Sequence, residues 1–562
     1  MSWNIIEKYR RILAAETGAV PKNWGGKLTV CLLYPNRYRV GMGNLGFQAV
    51  YALLNSYPDV VCERAFLPDP EELAEYRKSR TPLLSLESQR SLIDFDLVAF
   101  SVSFESDYVN MPTLFSLAGI PPLAADRRQD MPLVLAGGAA LFLNPEPVAD
   151  FLDLVCIGEA EPVLPPLLEA LKGGGERSAV LREAAGLPGI YVPSLYEVSY
   201  EGERLASFRP RPGAPARVRR VWEQELDRHP ATSRILSPGA EFADMYLVEL
   251  SRGCPRGCRF CAAGFIYLPY RQRSLGEIKA EVDSGLKERE RIGLVGAAIS
   301  DFRGIGELCG HILKEGGKIS VSSLRIDALD GEMIDVLKAS GHKTVALAPE
   351  GGSQRLRDLI RKGITEEQIL EACDRLIAGG ILNLKLYFII GLPTETDEDM
   401  EELADLVGRI RERVIAAARV TGRLGSVVLS VNPFVPKPFT PFQWCGMEAA
   451  RSLERKERFI RETVGRLSNV SMQMESPKEA ALQALLSRGD RRLSAFLLKA
   501  GEFGSWKRGA KAVDCPIEGL VTRAMTLDEL LPWDFIEGGE RGMLEREYRR
   551  AFGEEKAPRQ AR

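Results

Sequence analysis

The chain has little histidine, little cysteine and no surplus of either charge. Its 562 residues include three histidines and ten cysteines, and 74 basic against 77 acidic side chains leave a formal charge of -3. Proteins that bind nucleic acids usually carry a clustered basic surplus, so the charge gives no indication of a nucleic-acid partner. The one basic run, Arg209 to Arg220, is rich in proline and predicts a solvated linker.

The sequence also lacks long hydrophobic runs. No segment approaches the ~18 consecutive apolar residues of a membrane span, so we expect no membrane partner. Within residues 1–26, charges are scattered among Trp3, Ile6, Tyr9 and Leu13. This spacing predicts one face of an amphipathic helix and is unlike a secretory signal. The expected location is therefore the cytoplasm.

Cysteine is too sparse for a disulfide framework. Ten cysteines in a long chain without a secretory signal argue against disulfide bonds. Seven of them stand alone in apolar or mixed surroundings, and we predict that they are structural thiols: Cys31, Cys62, Cys156, Cys309, Cys373, Cys445 and Cys515. The other three, Cys254, Cys258 and Cys261, are close together and need another explanation.

Residues 27–195 alternate short apolar, β-branched runs with helical segments. The runs LTVCLL, LVAFSVSF, PLVLAGG and DLVCIGEAE predict a doubly wound, Rossmann-like parallel sheet. In such sheets ligands bind outside the carboxyl ends of the strands. Small and turn-forming residues stand at those positions here, so a ligand crevice is expected. Residues 196–240 lack a regular period and predict a linker, or a strand or two, that bridges two domains.

A second α/β domain is predicted over residues 241–465. Six strand-like runs, separated by helical segments, begin at Met245, Leu294, Lys318, Lys343, Leu382 and Ser426. They predict a partial (β/α)6 barrel of the TIM type, which carries its functional groups at the carboxyl ends of the strands. Strand signals fade afterwards, so residues 466–562 predict a small, mainly helical C-terminal domain.

The segment SRGCPRGCRFCAAGF, Ser251 to Phe265, contains the three clustered cysteines. A short loop with two glycines could bring three thiolates to one inorganic centre. A closed zinc site needs four ligands, and no further cysteine pair or histidine is nearby. An iron–sulfur cluster with one iron left open fits three ligands better. Zinc remains the alternative.

This spacing, with Phe260 before the last cysteine, resembles the signature of the radical S-adenosylmethionine (SAM) enzymes. Later segments are similar to the same superfamily, particularly to the subgroup with an N-terminal cobalamin-binding domain: SSLRIDAL at Ser322, LAPEGGSQRLRDLIRKGIT at Leu347, KLYFIIGLPTET at Lys385 and VNPFVPKPFTPFQW at Val431. The resemblance covers residues 240–450 and extends to the first domain. The C-terminal hundred residues resemble only uncharacterised members.

The resemblance implies a set of cofactors and residues. Cys254, Cys258 and Cys261 would bind a 4Fe-4S cluster that cleaves SAM reductively to a 5'-deoxyadenosyl radical, with electrons from a flavodoxin or ferredoxin. The residues implied for SAM are Phe260 and the segment Ile389 to Leu392, with Ile390 and Gly391, at the adenine, and Ser323, Arg325 and Glu350 at the ribose or the methionine end.

The same subgroup implies a corrinoid in the first domain. The segment AGGAALFLNPEPVADFLDLVCIGEAE resembles the sequence of that subgroup. The residues implied to contact the corrinoid are Ser101, Ser103, Gly137, Gly138, Gly158 and Glu159. One departure is that the Asp-x-His-x-x-Gly loop is missing, and the first histidine is His229. Any cobalamin is therefore expected to bind base-off, without a histidine ligand from this domain.

The expected reaction is cobalamin-dependent methyl transfer to an unactivated centre of an unidentified substrate. One alternative is a cobalamin-independent radical SAM enzyme, including a methylthiotransferase with a second cluster on N-terminal cysteines. Cys31 and Cys156 lie within strand-like runs, which suits buried thiols better than cluster ligands. A metal-binding protein without catalysis is the alternative from a different class.

Overall fold

The structure is a computed structural model that describes residues 2–321 and 324–554. It contains two compact units. The first is formed by Met1–Asp244, Leu486–Pro516 and Asp528–Gly538, and the second by Met245–Leu485, Ile517–Leu527 and Gly539–Arg562. Residues 466–562 are thus shared between the two units, which differs from the separate C-terminal domain that the sequence predicts.

The strands of the described residues are numbered in chain order. They are β1 (Leu28–Tyr34), β2 (Val60–Phe66), β3 (Leu97–Ser101), β4 (Leu133–Gly137), β5 (Leu154–Cys156), β6 (Ile190–Tyr191), β7 (Tyr196–Glu201), β8 (Arg204–Pro210), β9 (Val218–Arg219), β10 (Met245–Glu249), β11 (Ser251–Arg252), β12 (Arg271–Gln272), β13 (Arg291–Val295), β14 (Lys318–Val321), β15 (Thr344–Glu350), β16 (Asn383–Ile390), β17 (Val427–Pro433), β18 (Val470–Met474) and β19 (Ile536–Glu537).

The α-helices are numbered in the same way. They are α1 (Trp3–Ala15), α2 (Tyr38–Met42), α3 (Leu45–Ser56), α4 (Pro70–Ser79), α5 (Met111–Ala118), α6 (Ala139–Leu143), α7 (Ala160–Lys172), α8 (Arg177–Ala185), α9 (Leu275–Leu286), α10 (Ile305–Lys314), α11 (Gly331–Ala339), α12 (Gln354–Leu359), α13 (Glu366–Ala378), α14 (Asp397–Thr421), α15 (Ala450–Thr463), α16 (Pro477–Arg488), α17 (Ser494–Phe503), α18 (Trp506–Ala512), α19 (Ile517–Thr522) and α20 (Arg541–Ala551). No described helix is long and apolar enough to cross a membrane.

The first unit is built on a six-stranded sheet in the order β2-β1-β3-β4-β5-β6. Its first five strands are parallel, and β6 runs antiparallel to β5. Nearly every residue of β1 and β2 is buried, as expected when helices cover both faces of a parallel sheet. This confirms the predicted doubly wound fold. The order places a topological switch point at β1 and β3, where chain connections leave in opposite directions.

The predicted linker contains regular structure. Strands β7 and β8 pair as an antiparallel hairpin, with Tyr196 opposite Pro210 and Glu201 opposite Arg204. The sequence signal is the alternation of YEVSYE before a turn at Gly202, whose φ of 59° suits glycine. The hairpin supplies the strand or two that the sequence leaves open for this segment.

The second unit contains two parallel sheets, β10-β13-β14 and β15-β16-β17-β18. All six predicted strands are present, which confirms the TIM-like barrel. Strand β18 is a seventh, pairing in parallel with β17 from Val427 and Val470 to Val431 and Met474. Its segment VSMQM alternates half-buried with exposed residues, a weak signal for a buried parallel strand. From the sequence alone, this segment therefore falls in the predicted C-terminal helical domain.

Candidate functional site

The cysteine loop follows β11 and is closed at its base. Strands β11 and β12 pair antiparallel, Ser251 with Gln272, so the intervening residues form one loop. Gly253 has a φ of 86°, and a Cβ there would lie 2.6 Å from the carbonyl oxygen of Tyr267. Only glycine allows this close approach of the two sides of the loop.

The three thiols of the loop lie close enough to influence one another. Burial raises the pKa of Cys261 to about 11, and the neighbouring thiols Cys258 and Cys254 add to the rise. Burial also raises the pKa of Cys258, against the opposing charge of Lys362. No described group of three His, Cys, Asp or Glu side chains is arranged to hold a single metal ion. Three thiols in one partly buried loop fit a 4Fe-4S cluster, whose protein ligands bind different irons.

Arg259, between the second and third cysteines, anchors the loop to the rest of the barrel. Its backbone N–H donates to the carbonyl of Ile360 at 3.0 Å, and its Nη1 donates to the carbonyl of Leu359 at 2.8 Å. Its Nε also donates to Glu547 on α20 at 3.3 Å. Burial alone would raise the pKa of Glu547. Arg550, Arg361 and Arg259 lower this pKa by more than burial raises it, so the net shift is downward. An ionised carboxylate therefore supports the loop from the C-terminal helix.

A cavity of about 540 Å³ opens beside Phe260 at the carboxyl ends of β15, β16 and β17. Its lining comprises Phe260, Ala348, Glu350, Tyr387, Ile389, Asn432, Pro433, Phe434, Val435, Glu475 and Gln483. The combination of aromatic surfaces with a few carboxylate and amide groups is typical of a small-molecule site. It matches the face of a TIM-type barrel on which active sites are built.

Glu350 is held in a strained conformation at the end of β15. Its φ of 65° lies in the left-handed region, and the β15–β16 register is irregular between Leu347 and Glu350. Its Oε1 accepts a hydrogen bond from Lys362 at 3.2 Å, and both side chains are more than four-fifths buried. Strain of this kind persists when the surroundings enforce it and is often found at ligand sites. The structure therefore brings Glu350, Phe260 and the cysteine loop together, as the resemblance implies.

The end of β16 presents Ile389 to the cavity and buries Ile390. Successive strand residues point to opposite faces, and Ile390 is fully buried. Gly391 follows with a φ of 75°, and its N–H donates to Glu395 at 2.6 Å. Glu395 also pairs with the buried Lys456 at 2.6 Å. Ile390 and Gly391 are not among the lining residues, so their predicted contact with adenine stays a prediction.

The other predicted SAM residues lie near the cysteine loop or outside the described residues. Arg325 interacts electrostatically with Cys258 and pairs with Asp327 at 2.7 Å. It is not part of the cavity lining, and its role toward SAM also stays a prediction. Ser323 lies outside the residues that the structure describes.

In the first unit, the predicted corrinoid contacts near the switch point are small or polar. Ser103 accepts a hydrogen bond from the Asn44 amide at 3.0 Å, and Ser101 pairs with Gly137 in the β3–β4 ladder. A Cβ on Gly138 would lie 2.4 Å from the carbonyl oxygen of Val102. The neighbouring Phe104 is 56% exposed, which is unusual for a ring at the end of a buried strand.

The two residues predicted after β5, Gly158 and Glu159, contact a later segment of the first unit. A Cβ on Gly158 would lie 2.1 Å from the carbonyl oxygen of Val221. The Glu159 N–H donates to that same carbonyl at 3.0 Å, and its Oε2 accepts from the Glu223 N–H at 2.8 Å. Segment 221–223 therefore covers this loop. Backbone of the chain itself fills the space beside Gly158 and also beside Gly138, and the corrinoid contacts of all six residues stay a prediction.

Asp107 is a buried carboxyl group near the same switch point. It is 4% exposed, its Oδ1 accepts from Asn36 at 2.8 Å, and its Oδ2 has no hydrogen-bond partner among the described residues. Burial raises its pKa to about 7, although the Asn36 hydrogen bond opposes the shift. Ionisation of Asp107 is therefore disfavoured in the folded protein.

We expect Asp107→Asn to change how stability depends on pH. A raised folded pKa contributes stability that is present below pH ~4 and is lost as pH rises toward ~7, by up to about 1.4 kcal/mol per pH unit. Asparagine does not titrate. As pH rises over this interval, the free energy of unfolding should therefore fall less in the variant than in the wild type. Urea unfolding at a series of pH values measures this difference. Parallel curves would contradict the prediction.

Sequence reasoning missed several residues of the site. Tyr387, Asn432, Glu475 and Gln483 line the cavity, and Glu547 supports the cysteine loop. The alternation along β16 and β17 could have found Tyr387 and Asn432, since they share a face with Ile389. The other three, Glu475, Gln483 and Glu547, lie in segments without a recognisable motif.

Comparison with known proteins defines the class to which this fold and cysteine loop belong. Residues 46–193 match the family described as radical SAM proteins, N-terminal, and residues 248–407 match the radical SAM superfamily. The chain belongs to the radical SAM superfamily, whose members carry a 4Fe-4S cluster and bind SAM.

Its relatives include proteins without an assigned reaction. The chain is 30% identical over 474 residues to "Uncharacterized protein MJ0966" of Methanocaldococcus jannaschii, covering 83% of this chain and 90% of the relative. It is 29% identical over 283 residues to "Uncharacterized methyltransferase PH0819" of Pyrococcus horikoshii, covering 48% of this chain and 56% of the relative. A solved structure of the cobalamin-dependent radical SAM enzyme OxsB matches with a TM-score of 0.45 at 18% identity, covering 68% of this chain and 52% of the other.

Proposed function

We propose that this radical SAM enzyme transfers a methyl group to an unactivated centre of its substrate and uses a corrinoid as the methyl carrier. The observation that carries the proposal is the placement of three partly buried thiols beside a cavity with Phe260 and Glu350 in its lining. Such a site can hold the cluster and SAM side by side. The proposed methyl transfer through a corrinoid rests on further support from the first unit.

The residues of the barrel have distinct tasks in this proposal. When bound, the cluster would supply the electron that splits SAM into methionine and a 5'-deoxyadenosyl radical. Cys254, Cys258 and Cys261 would bind three of its irons as thiolates. Phe260 offers an aromatic surface at the cavity wall, and Glu350, fixed by Lys362, presents a carboxylate for a hydroxyl or amino group of SAM.

Two features support a corrinoid as carrier. The sheet of the first unit has a switch point at β1 and β3, where doubly wound sheets bind ligands, and Phe104 is exposed there. A relative is named as a methyltransferase. No histidine occurs in residues 27–195, and His229 lies 3.7 Å from the carboxylate of Glu223. The corrinoid would therefore bind base-off, without a histidine of the first sheet.

The methylthiotransferase alternative requires a second cluster on cysteines of the first unit. Cys31, Cys62 and Cys156 are buried within strands β1, β2 and β5, and burial raises the pKa of each thiol. These three thiols are fixed inside the strands of the sheet, whereas Cys254, Cys258 and Cys261 are only partly buried in one loop. This difference in placement favours one cluster per chain.

The full chain, purified and reconstituted without oxygen, tests the proposal. We expect about four irons and four sulfides per chain, and conversion of SAM to 5'-deoxyadenosine with a flavodoxin or ferredoxin as electron donor. Added hydroxocobalamin should bind and show a base-off cob(II)alamin spectrum. About eight irons would support the methylthiotransferase alternative. SAM cleavage without corrinoid binding would contradict the methyl-transfer proposal.

A further inference from the structure

The lumen face of strands β15 to β18 is unusually small and polar for the inside of a barrel. Along β16, Asn383, Lys385, Tyr387 and Ile389 are half-buried, while the alternate residues are fully buried. Tyr387 and Ile389 line the cavity, so Lys385 shares the lumen face with them. Closed TIM barrels fill this space with bulky, branched side chains.

The neighbours of Lys385 on this face leave space and carry no charge. In the strand register, Lys385 lies beside Ala346 on β15 and Val428 on β17, and Val428 lies beside Ser471 on β18. The next layer toward the cavity contains Tyr387, Ser430 and Gln473. Small or neutral residues are thus the strand neighbours of this lysine beneath the cavity, and those on β18, Ser471 and Gln473, are exposed.

Lys385 is a cation without a counterion. Within the described residues it forms no ion pair, and its one aromatic contact places Nζ 5.1 Å from the ring centre of Tyr387. Two other lysines of this unit, the half-buried Lys362 and the buried Lys456, have carboxylate partners. An unpaired cation in a confined space attracts an anionic partner, since Coulomb attraction is stronger where water is partly excluded. The arrangement is therefore suited to an anionic group supplied by a ligand.

We propose that the substrate is a small anionic molecule whose carboxylate or phosphate binds Lys385 within the barrel lumen. Gln473 and Ser430 would offer hydrogen bonds to its polar atoms. Four residues of strand, roughly 13 Å, separate the level of Lys385 from that of Ile389. The anionic end would then lie deep in the lumen and the reacting carbon near the cavity. This inference rests on the proposed function, since it names the substrate class for the same site.

Binding of simple anions to the reconstituted full chain, saturated with SAM, tests the inference. Glutarate and inorganic pyrophosphate, titrated separately and followed by ligand-observed NMR, distinguish a carboxylate from a phosphate. Spermidine is the cationic control. We expect at least one of the anions to bind, and its affinity to fall about tenfold or more in Lys385→Met and to be largely kept in Lys385→Arg.

Matched variants keep the test decisive. Lys343→Met removes an exposed lysine just before β15 and should leave anion binding unchanged. Gln473→Leu, in the next layer of the lumen, should weaken binding without removing a charge. Equal affinity in wild type and Lys385→Met, or no binding of either anion to the wild type, would overturn the inference. SAM cleavage by the same wild-type preparation reports separately on the proposed function, so the two failures are distinguishable.

Discussion

Replacing Cys258 with alanine is expected to abolish both cluster binding and reductive cleavage of SAM. A cluster held by three protein thiolates has no spare ligand, and no further cysteine or histidine lies near this loop in the sequence. The absorbance shoulder near ~400 nm and the formation of 5'-deoxyadenosine should both disappear. We expect the same result for Cys254→Ala and Cys261→Ala.

A second cysteine of the same unit provides the control. Cys309 is buried on α10, far from the loop in the sequence, so Cys309→Ala should keep about four irons per chain and lose only some stability. Full iron content in Cys258→Ala would refute the ligand assignment. Loss of iron in Cys309→Ala with the fold intact would point to a different ligand set.

The parts of the site that depend on local sequence could be predicted. The cysteine loop is one continuous segment, so its residue types and glycines specify it almost alone. The first strands of both units could also be predicted, because strands buried on both faces read as continuous apolar runs. Phe260 and Glu350 lie in local motifs of this kind, and the resemblance to the superfamily identified them.

The remainder depends on contacts between segments distant in the sequence. Gly158 and Glu159 fit a ligand loop by their sequence, but segment 221–223 fills the space around them. Strand β18 carries few β-branched residues and becomes a strand through its pairing with β17. Propensity is a weak guide at such an edge, because cross-strand packing decides the conformation.

The support of the cysteine loop by α20 is the clearest long-range contact of this kind. Glu547 lies 288 residues from Arg259 in the sequence and accepts its Nε at 3.3 Å. It also lies 3.4 Å from Arg361 and 2.7 Å from Arg550. One carboxylate thus balances three guanidinium groups: Arg259 in the loop, Arg361 on a segment that contacts the loop, and Arg550 on α20.

Glu547→Gln is expected to destabilise the loop and to shift the reduction potential of the reconstituted cluster to a more positive value. Removing one partner of a buried ion pair costs on the order of 3 kcal/mol, because the remaining charges are left uncompensated. The added net positive charge beside Cys258 would favour the reduced, more negative cluster. Thermal unfolding measures the first effect, and redox titration followed by electron paramagnetic resonance measures the second.

The design of the variants separates a charge effect from simple loosening of the helix. Glu547→Asp keeps the charge and should restore most of the wild-type reduction potential. If the shift came only from a loosened α20, the shorter carboxylate would not correct it. Glu545→Gln is the matched control, since Glu545 lies on the same helix and pairs with Arg541 at 3.0 Å, away from Arg259. An unchanged potential in Glu547→Gln with full iron content would contradict this role. A positive shift that Glu547→Asp reverses would show that the C-terminal helix sets the electrostatics of the cysteine loop.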